Sequence, residues 1–351
     1  MRISSVALGP VVLLLLACGS SSEPNTPPGE PVREFMMGFS AIPPRMDTTL
    51  LLPTLNLAVQ HSDAGLIQLS IPWAILLADT AAATEVRLVR LPLVNFYRAS
   101  GMRIVVALDV TNGLDRSQED PVLVGLGRSI TDTAIQRHYR EYVQAVDSIL
   151  HPDYMSLAAE TNLIRAAAPA PVYNAVVTMV NAAAAELRAR NTLTLLMVSV
   201  QVETAWGRFQ GTNTFIGIAQ DRTDFPFLDA LGLSSYPYLG GFTQPEAIPD
   251  DYFGRLVQSA PLPVLILEGG WPSVSVAGIA SSPALQARYI RRQGELLSAM
   301  NAKGLFQITF TDLHPTIIPP GSSLTLFATL GLVDTALQAK PALATWDSIL
   351  R

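Results

Sequence analysis

Eight short apolar runs, each followed by a stretch with helical spacing, constrain this chain more than any other feature. The runs are FMMGFSA (35–41), LIQLSIPW (66–73), RIVVALDVT (103–111), YMSLAAETN (154–162), LTLLMVSVQVE (193–203), LDALGLSSYPY (228–238), PVLILEGGW (263–271) and LFQITFTDL (305–313). They lack clean polar alternation, as strands covered on both faces do. Between them the period becomes helical. In TDTAIQRHYREYVQAVDSIL, the residues Ile135, Tyr139, Tyr142, Val143, Val146 and Ile149 share one face. Residues 171–190 are Ala-rich and favour helix. Further on, Ser282 can cap a helix, Pro283 suits its first turn and Gly304 would close it, with Leu285, Tyr289, Leu296 and Met300 as its inner stripe. The pattern predicts an α/β fold, a single (β/α)8 TIM barrel over residues 34–351. An open doubly wound sheet is the alternative, but no glycine-rich phosphate loop follows the first run.

The N-terminal residues stand outside that rhythm. MRISSVALGPVVLLLLACGS carries Arg2, then an apolar run too short for a comfortable membrane span, ending at Cys18, the only cysteine in the chain. Residues 1–17 read as a signal peptide and resemble a bacterial lipoprotein signal, which would make Cys18 the lipidated first residue of the mature protein. An ordinary secretory signal is the alternative. With one cysteine, an intramolecular disulfide is impossible. Residues 18–33, rich in Ser, Pro and Gly, read as a tether. Gly19 after the cysteine resembles outer-membrane sorting in a Gram-negative host. The expected location is extracytoplasmic, lipid-anchored to a bacterial membrane. A net charge of −6 leaves no basic footprint for nucleic acid.

In such a barrel, catalytic groups stand at the C-terminal strand ends. Here the ends carry Asp109, Glu160, Glu203, Tyr236, Glu268 and Asp312, with His314 just beyond. Trp73, Trp206 and Trp271 lie at tips too. Carboxylates interleaved with indoles suit a carbohydrate cleft, since sugars offer apolar ring faces and hydroxyls. Glu160 and Glu268 are the sharpest pair, because glycoside hydrolysis needs one protonated and one ionised carboxyl. An ion-paired or solvated structural glutamate is the other reading of each. No His, Asp and Glu spacing suggests a metal, no serine nucleophile elbow appears, and no cofactor is implied.

Glu160 after the fourth run and Glu268 after the seventh resemble the catalytic pair of the clan A glycoside hydrolases. ILEGGWPS is similar to the strand-seven motif of endo-β-1,4-galactanases and plant-type endo-β-1,3-glucanases, and LSSYPY resembles their strand six. The resemblance implies a retaining glycosidase with Glu268 as nucleophile, Glu160 as acid/base and Tyr236 hydrogen-bonded to the nucleophile. GLVDTALQAKPALATW (331–346) resembles the common ending of such barrels, with Pro341 starting the last helix and Trp346 packing it down. Two positions depart from the family. Ala159 stands where Asn normally precedes the acid/base, with Asn162 nearby as a partial substitute. Phe310 or His314 stands where a tryptophan usually ends strand eight.

The expectation is a β-glycan hydrolase at the cell envelope, with an oligo- or polysaccharide as partner and the membrane reached through Cys18. Trp271, Trp206 and Trp73 would stack sugars, and Asn162, Asp109, Glu203, Asp312 and His314 would contact their hydroxyls. A surface glycan-binding lipoprotein that has lost turnover is the rival reading. Ala159 favours it, and the retention of both glutamates favours the enzyme.

Overall fold

The computed structural model describes residues 33–78 and 80–351. The signal-like segment, Cys18 and the tether as far as residue 32 lie outside the described residues. Arg33, expected in the tether, already belongs to the domain: its guanidinium donates to Asp63 Oδ2 (2.6 Å) and to the Leu350 carbonyl (3.1 Å).

Eight parallel strands form the centre. Strand one is Met36–Phe39, strand two Ala64–Ser70, strand three Arg103–Asp109 and strand four Tyr154–Ser156. Strand five comes in two segments, Leu195–Met197 and Ser199–Gln201, parted by Val198. Strand six is Leu231–Ser235, strand seven Val264–Gly269 and strand eight Ala302–Gln307. Each strand pairs with the next, and strand eight pairs with strand one. The first segment of strand five pairs with strand four and the second with strand six, so the interrupted strand closes the barrel. Hydrogen bonding runs through the break, since Gly232 N–H donates to the Val198 carbonyl at 3.0 Å.

The two faces of each strand explain the uninterrupted apolar runs. Leu66, Val105, Ala107, Tyr154, Met197, Leu265 and Phe306 form one cluster inside the barrel. The alternate residues Ile67, Leu69, Ile104 and Val106 pack in a separate core with the helices. Gly304, expected to close a helix, instead lies inside strand eight. That helix ends at Ser298, and a Cβ on Gly304 would stand 2.9 Å from the Phe306 ring that fills the barrel.

The helices follow the sequence pattern with two exceptions. Thr133–Leu150 buries all six residues of its expected face. Pro283–Ser298 starts as expected, with Ser282 Oγ accepting from Leu285 N–H at 3.2 Å. Pro341 opens the last helix, and Trp346 is buried with its indole N–H on the His61 carbonyl (2.8 Å). After strands five and six the helices shrink to Ala219–Asp224 and Gly254–Val257. Buried Phe225, Tyr252 and Phe253 fill the space beside them.

Candidate active site

Strand parity determines what the barrel mouth contains. In strand two, residues 64 and 66 face inward, and Gln68 continues that face. In strand three, 105 and 107 face inward and Asp109 follows. Strand seven would break this logic if it were regular. Leu265 and Leu267 face inward, so strict alternation would turn Glu268 outward toward the helices. The register prevents this: Leu233 pairs with Ile266, but Ser234 pairs with Glu268. One extra residue is absorbed as a bulge, which shifts parity and brings Glu268 to the inner face.

Glu160 reaches the same mouth by a different device. Strand four ends at Ser156, and Glu160 takes a left-handed backbone conformation (φ 50°, ψ 46°). For a non-glycine residue this costs roughly 1–3 kcal/mol and requires support from its surroundings. The support is visible on both sides. Glu160 N–H donates to Ser199 Oγ (2.9 Å), and its carbonyl accepts from Leu163 (2.9 Å) and Ile164 (3.0 Å), starting the helix Thr161–Ala167.

Both glutamates line one cavity of about 330 Å³, together with Tyr236, Arg116, Gln201 and Thr309. Buried Arg116 donates to Glu160 Oε2 (2.9 Å), Asp109 Oδ1 (2.5 Å) and Thr111 Oγ1 (3.1 Å). Glu268 has no arginine on it; its Oε1 accepts from Gln68 Nε2 at 2.7 Å. Burial, and then the charge of Glu160, push the Glu268 carboxyl up to about 8, against an opposing pull from Arg116. The pair therefore holds one proton more tightly than a free carboxyl does. Among the described residues the Tyr236 hydroxyl makes no hydrogen bond to Glu268, whose side-chain donor is Gln68. Burial and the neighbouring Glu268 keep the Tyr236 phenol protonated.

Most of the other expected contacts turn away from the cavity. Trp73 and Trp271 are 1% and 0% exposed and cannot stack a sugar. Trp271 packs on Tyr289 (5.4 Å) and donates to Ser281 Oγ (3.0 Å), tying the strand-seven loop to its helix. Trp206 stacks on Tyr252 (5.2 Å, 22°) and donates to its carbonyl (2.9 Å), outside the cavity. Asn162 spends both ends of its amide on the Gln201 backbone (2.9 and 2.7 Å). Glu203 is fully buried and accepts from Ser235, Tyr252 and the Tyr236 N–H, which makes it an internal brace. Asp312 pairs with Lys340 (2.7 Å) at the foot of the last helix. His314 caps the turn Pro315–Ile317. Phe310 is buried against Phe39 (4.8 Å). Asp109 reaches the site only through Arg116. Among the described residues, no three His, Cys, Asp or Glu side chains group as a metal site.

Gln68, Arg116, Ser199 and Gln201 were not singled out from sequence. Ser199 and Gln201 alternate with Val198, Val200 and Val202, a period-2 signal of a polar upper barrel. Gln68 is the sole polar interruption between Leu66 and Leu69. Nothing local marks Arg116, because its partners lie on two separate strands.

No protein-family model and no curated protein sequence matches the chain. Solved structures do match its fold. GH5_18 from Bifidobacterium longum subsp. longum ATCC 55813 superposes with a TM-score of 0.63 at 15% identity, covering 90% of this chain and 79% of that one. The exo-β-1,4-mannosidase Op5Man5 from Opitutaceae bacterium strain TAV5 gives 0.64 at 17%, covering 91% and 60%. The GH53 catalytic domain of Ignisphaera aggregans gives 0.60 at 16%, covering 92% and 98%. The chain thus shares the (β/α)8 barrel fold of these structures.

The buried Glu268 predicts how stability depends on pH. Unfolded, its carboxyl ionises near the ordinary 4.5; folded, it keeps its proton to about 8. In that window the folded state binds more protons, so this group lowers stability as pH rises, and contributes nothing below it. Glu268→Gln should flatten this slope in thermal unfolding followed from pH 4.5 to 8. A wild-type slope unchanged by the substitution would place the titration elsewhere.

Proposed function

We propose that this protein is a retaining glycoside hydrolase acting on β-linked substrates. The observation that carries the reading is that Glu160 and Glu268, from the ends of strands four and seven, open into one cavity. Glu268 attacks the anomeric carbon while Glu160 protonates the departing oxygen. Glu160 then takes a proton from water, whose oxygen displaces Glu268 from the sugar. Bonds and protons balance: the C1–O bond to the aglycone is lost, the aglycone leaves with the proton Glu160 held, and water supplies the new hydroxyl while its other proton restores Glu160.

The pair must hold one proton for this chemistry. That proton is on Glu160 when attack begins, with Glu268 ionised. The competent state is the singly protonated pair whichever oxygen holds the proton. Activity should therefore fall as pH rises through about 8, where the pair loses its last proton.

The second reading, a glycan-binding barrel without turnover, is favoured by Ala159. Its methyl offers no hydrogen bond where an asparagine would, and Asn162 is committed to Gln201. One experiment separates the two. On an activated aryl β-glycoside, Glu160→Ala should lose roughly 10²–10⁴-fold and be rescued by azide with a β-glycosyl azide as product. Glu268→Ala with azide should give the α-anomer. Wild-type rates in both variants would leave the pair without a chemical role.

We further propose that Cys18 anchors the protein to a bacterial membrane, on the strength of the apolar run that ends there. Expressed in bacteria with a fatty-acid analogue, the wild type should be labelled and Cys18→Ala should not. Equal labelling would refute the anchor.

A further inference from the structure

The cavity wall changes character with height. Glu160, Gln201, Tyr236, Glu268 and Thr309 come from strand ends or the residues just past them. The loops and first helical turns above them supply Leu114, Leu163, Phe209, Leu239, Leu324 and Phe327. Two of these, Leu114 and Phe209, remain 48% and 39% exposed. They therefore meet both the cavity and the solvent, where an apolar ligand group could cover them. The rim offers almost nothing to a hydroxyl: Arg116 is already spent on Asp109, Thr111 and Glu160, which leaves Ser323. A sugar seated there would gain few direct hydrogen bonds from side chains in exchange for the water its hydroxyls lose. Among the described residues no tryptophan lines the cavity; its aromatic rings are Tyr236, Phe209 and Phe327. Its volume of about 330 Å³ lies within the range of small-molecule sites.

We infer that the site takes a β-glycoside with an apolar aglycone, the sugar seated on the strand ends and the aglycone against the leucine and phenylalanine rim. This rests on the glycosidase reading and specifies its substrate class. Hydrolysis then releases a free sugar and a hydrophobic alcohol that carries away the proton.

The test compares kcat/KM of the full chain on octyl and methyl β-glycosides of glucose, galactose and mannose, below micelle-forming concentrations. On the sugar it accepts, the octyl compound should be better by at least about tenfold, mostly through KM. The double variant Leu114→Asn, Leu324→Asn should bring the ratio close to one. If both are cleaved and the methyl compound is equal or better, the apolar-aglycone inference is wrong while hydrolysis stands. If calorimetry detects octyl but not methyl binding and neither is cleaved, the rim assignment holds and the glycosidase reading fails. Absence of both binding and cleavage on all three sugars would overturn the inference.

Discussion

One extra residue in strand seven governs the chemistry of the barrel mouth. With regular alternation, Glu268 would face the helices and meet the apolar packing around Trp271. The bulge lets Leu267 and Glu268 face inward in succession. Leu267 then completes the apolar plug, packed so close that a Cβ on Gly232 would be 2.7 Å from its Cδ1. Glu268 sits directly on that plug with Gln68 as its donor. Its burial, and with it its raised proton affinity, follows from this placement.

The second constraint is electrostatic. Three carboxyl groups, Asp109, Glu160 and Glu268, converge on one buried cation, Arg116. A lone cation among three carboxyls cannot balance them all, and burial raises the energy of the excess negative charge. Keeping one proton on the Glu160–Glu268 pair relieves it. The same imbalance keeps in the cavity the one proton that the proposed acid-assisted cleavage needs. The left-handed backbone at Glu160 is consistent with this reading, because strain of that kind persists where the surrounding structure is organised around a particular side chain.

The barrel was legible because its signal is repeated. Eight apolar runs with helical spacing between them leave few alternatives, and errors at single boundaries, such as Gly304, do not disturb the count. The glutamate pair was legible for a related reason: each ends a strand, and strand ends converge in this fold. The surrounding shell was not. Tryptophan and carboxylate at a strand tip look alike whether they face the axis or the helices, and the difference depends on loop geometry. Trp271 turns back onto Tyr289, Glu203 is gathered in by Tyr252 and Ser235, and Asp312 by Lys340. Arg116 is the reverse case, a loop residue with no motif that becomes central because strands three and four bring their acids to it.

The account's central claim is that Glu268 is a nucleophile presented to a sugar in this cavity. Trapping tests it directly. The full chain is incubated with dinitrophenyl 2-deoxy-2-fluoro-β-glycosides of gluco, galacto and manno configuration, in which the fluorine slows release of a covalent intermediate. Digestion and mass spectrometry then locate the label. The account predicts one fluorosugar on the peptide that contains Glu268. A label on Glu160 or on any other carboxylate would contradict it.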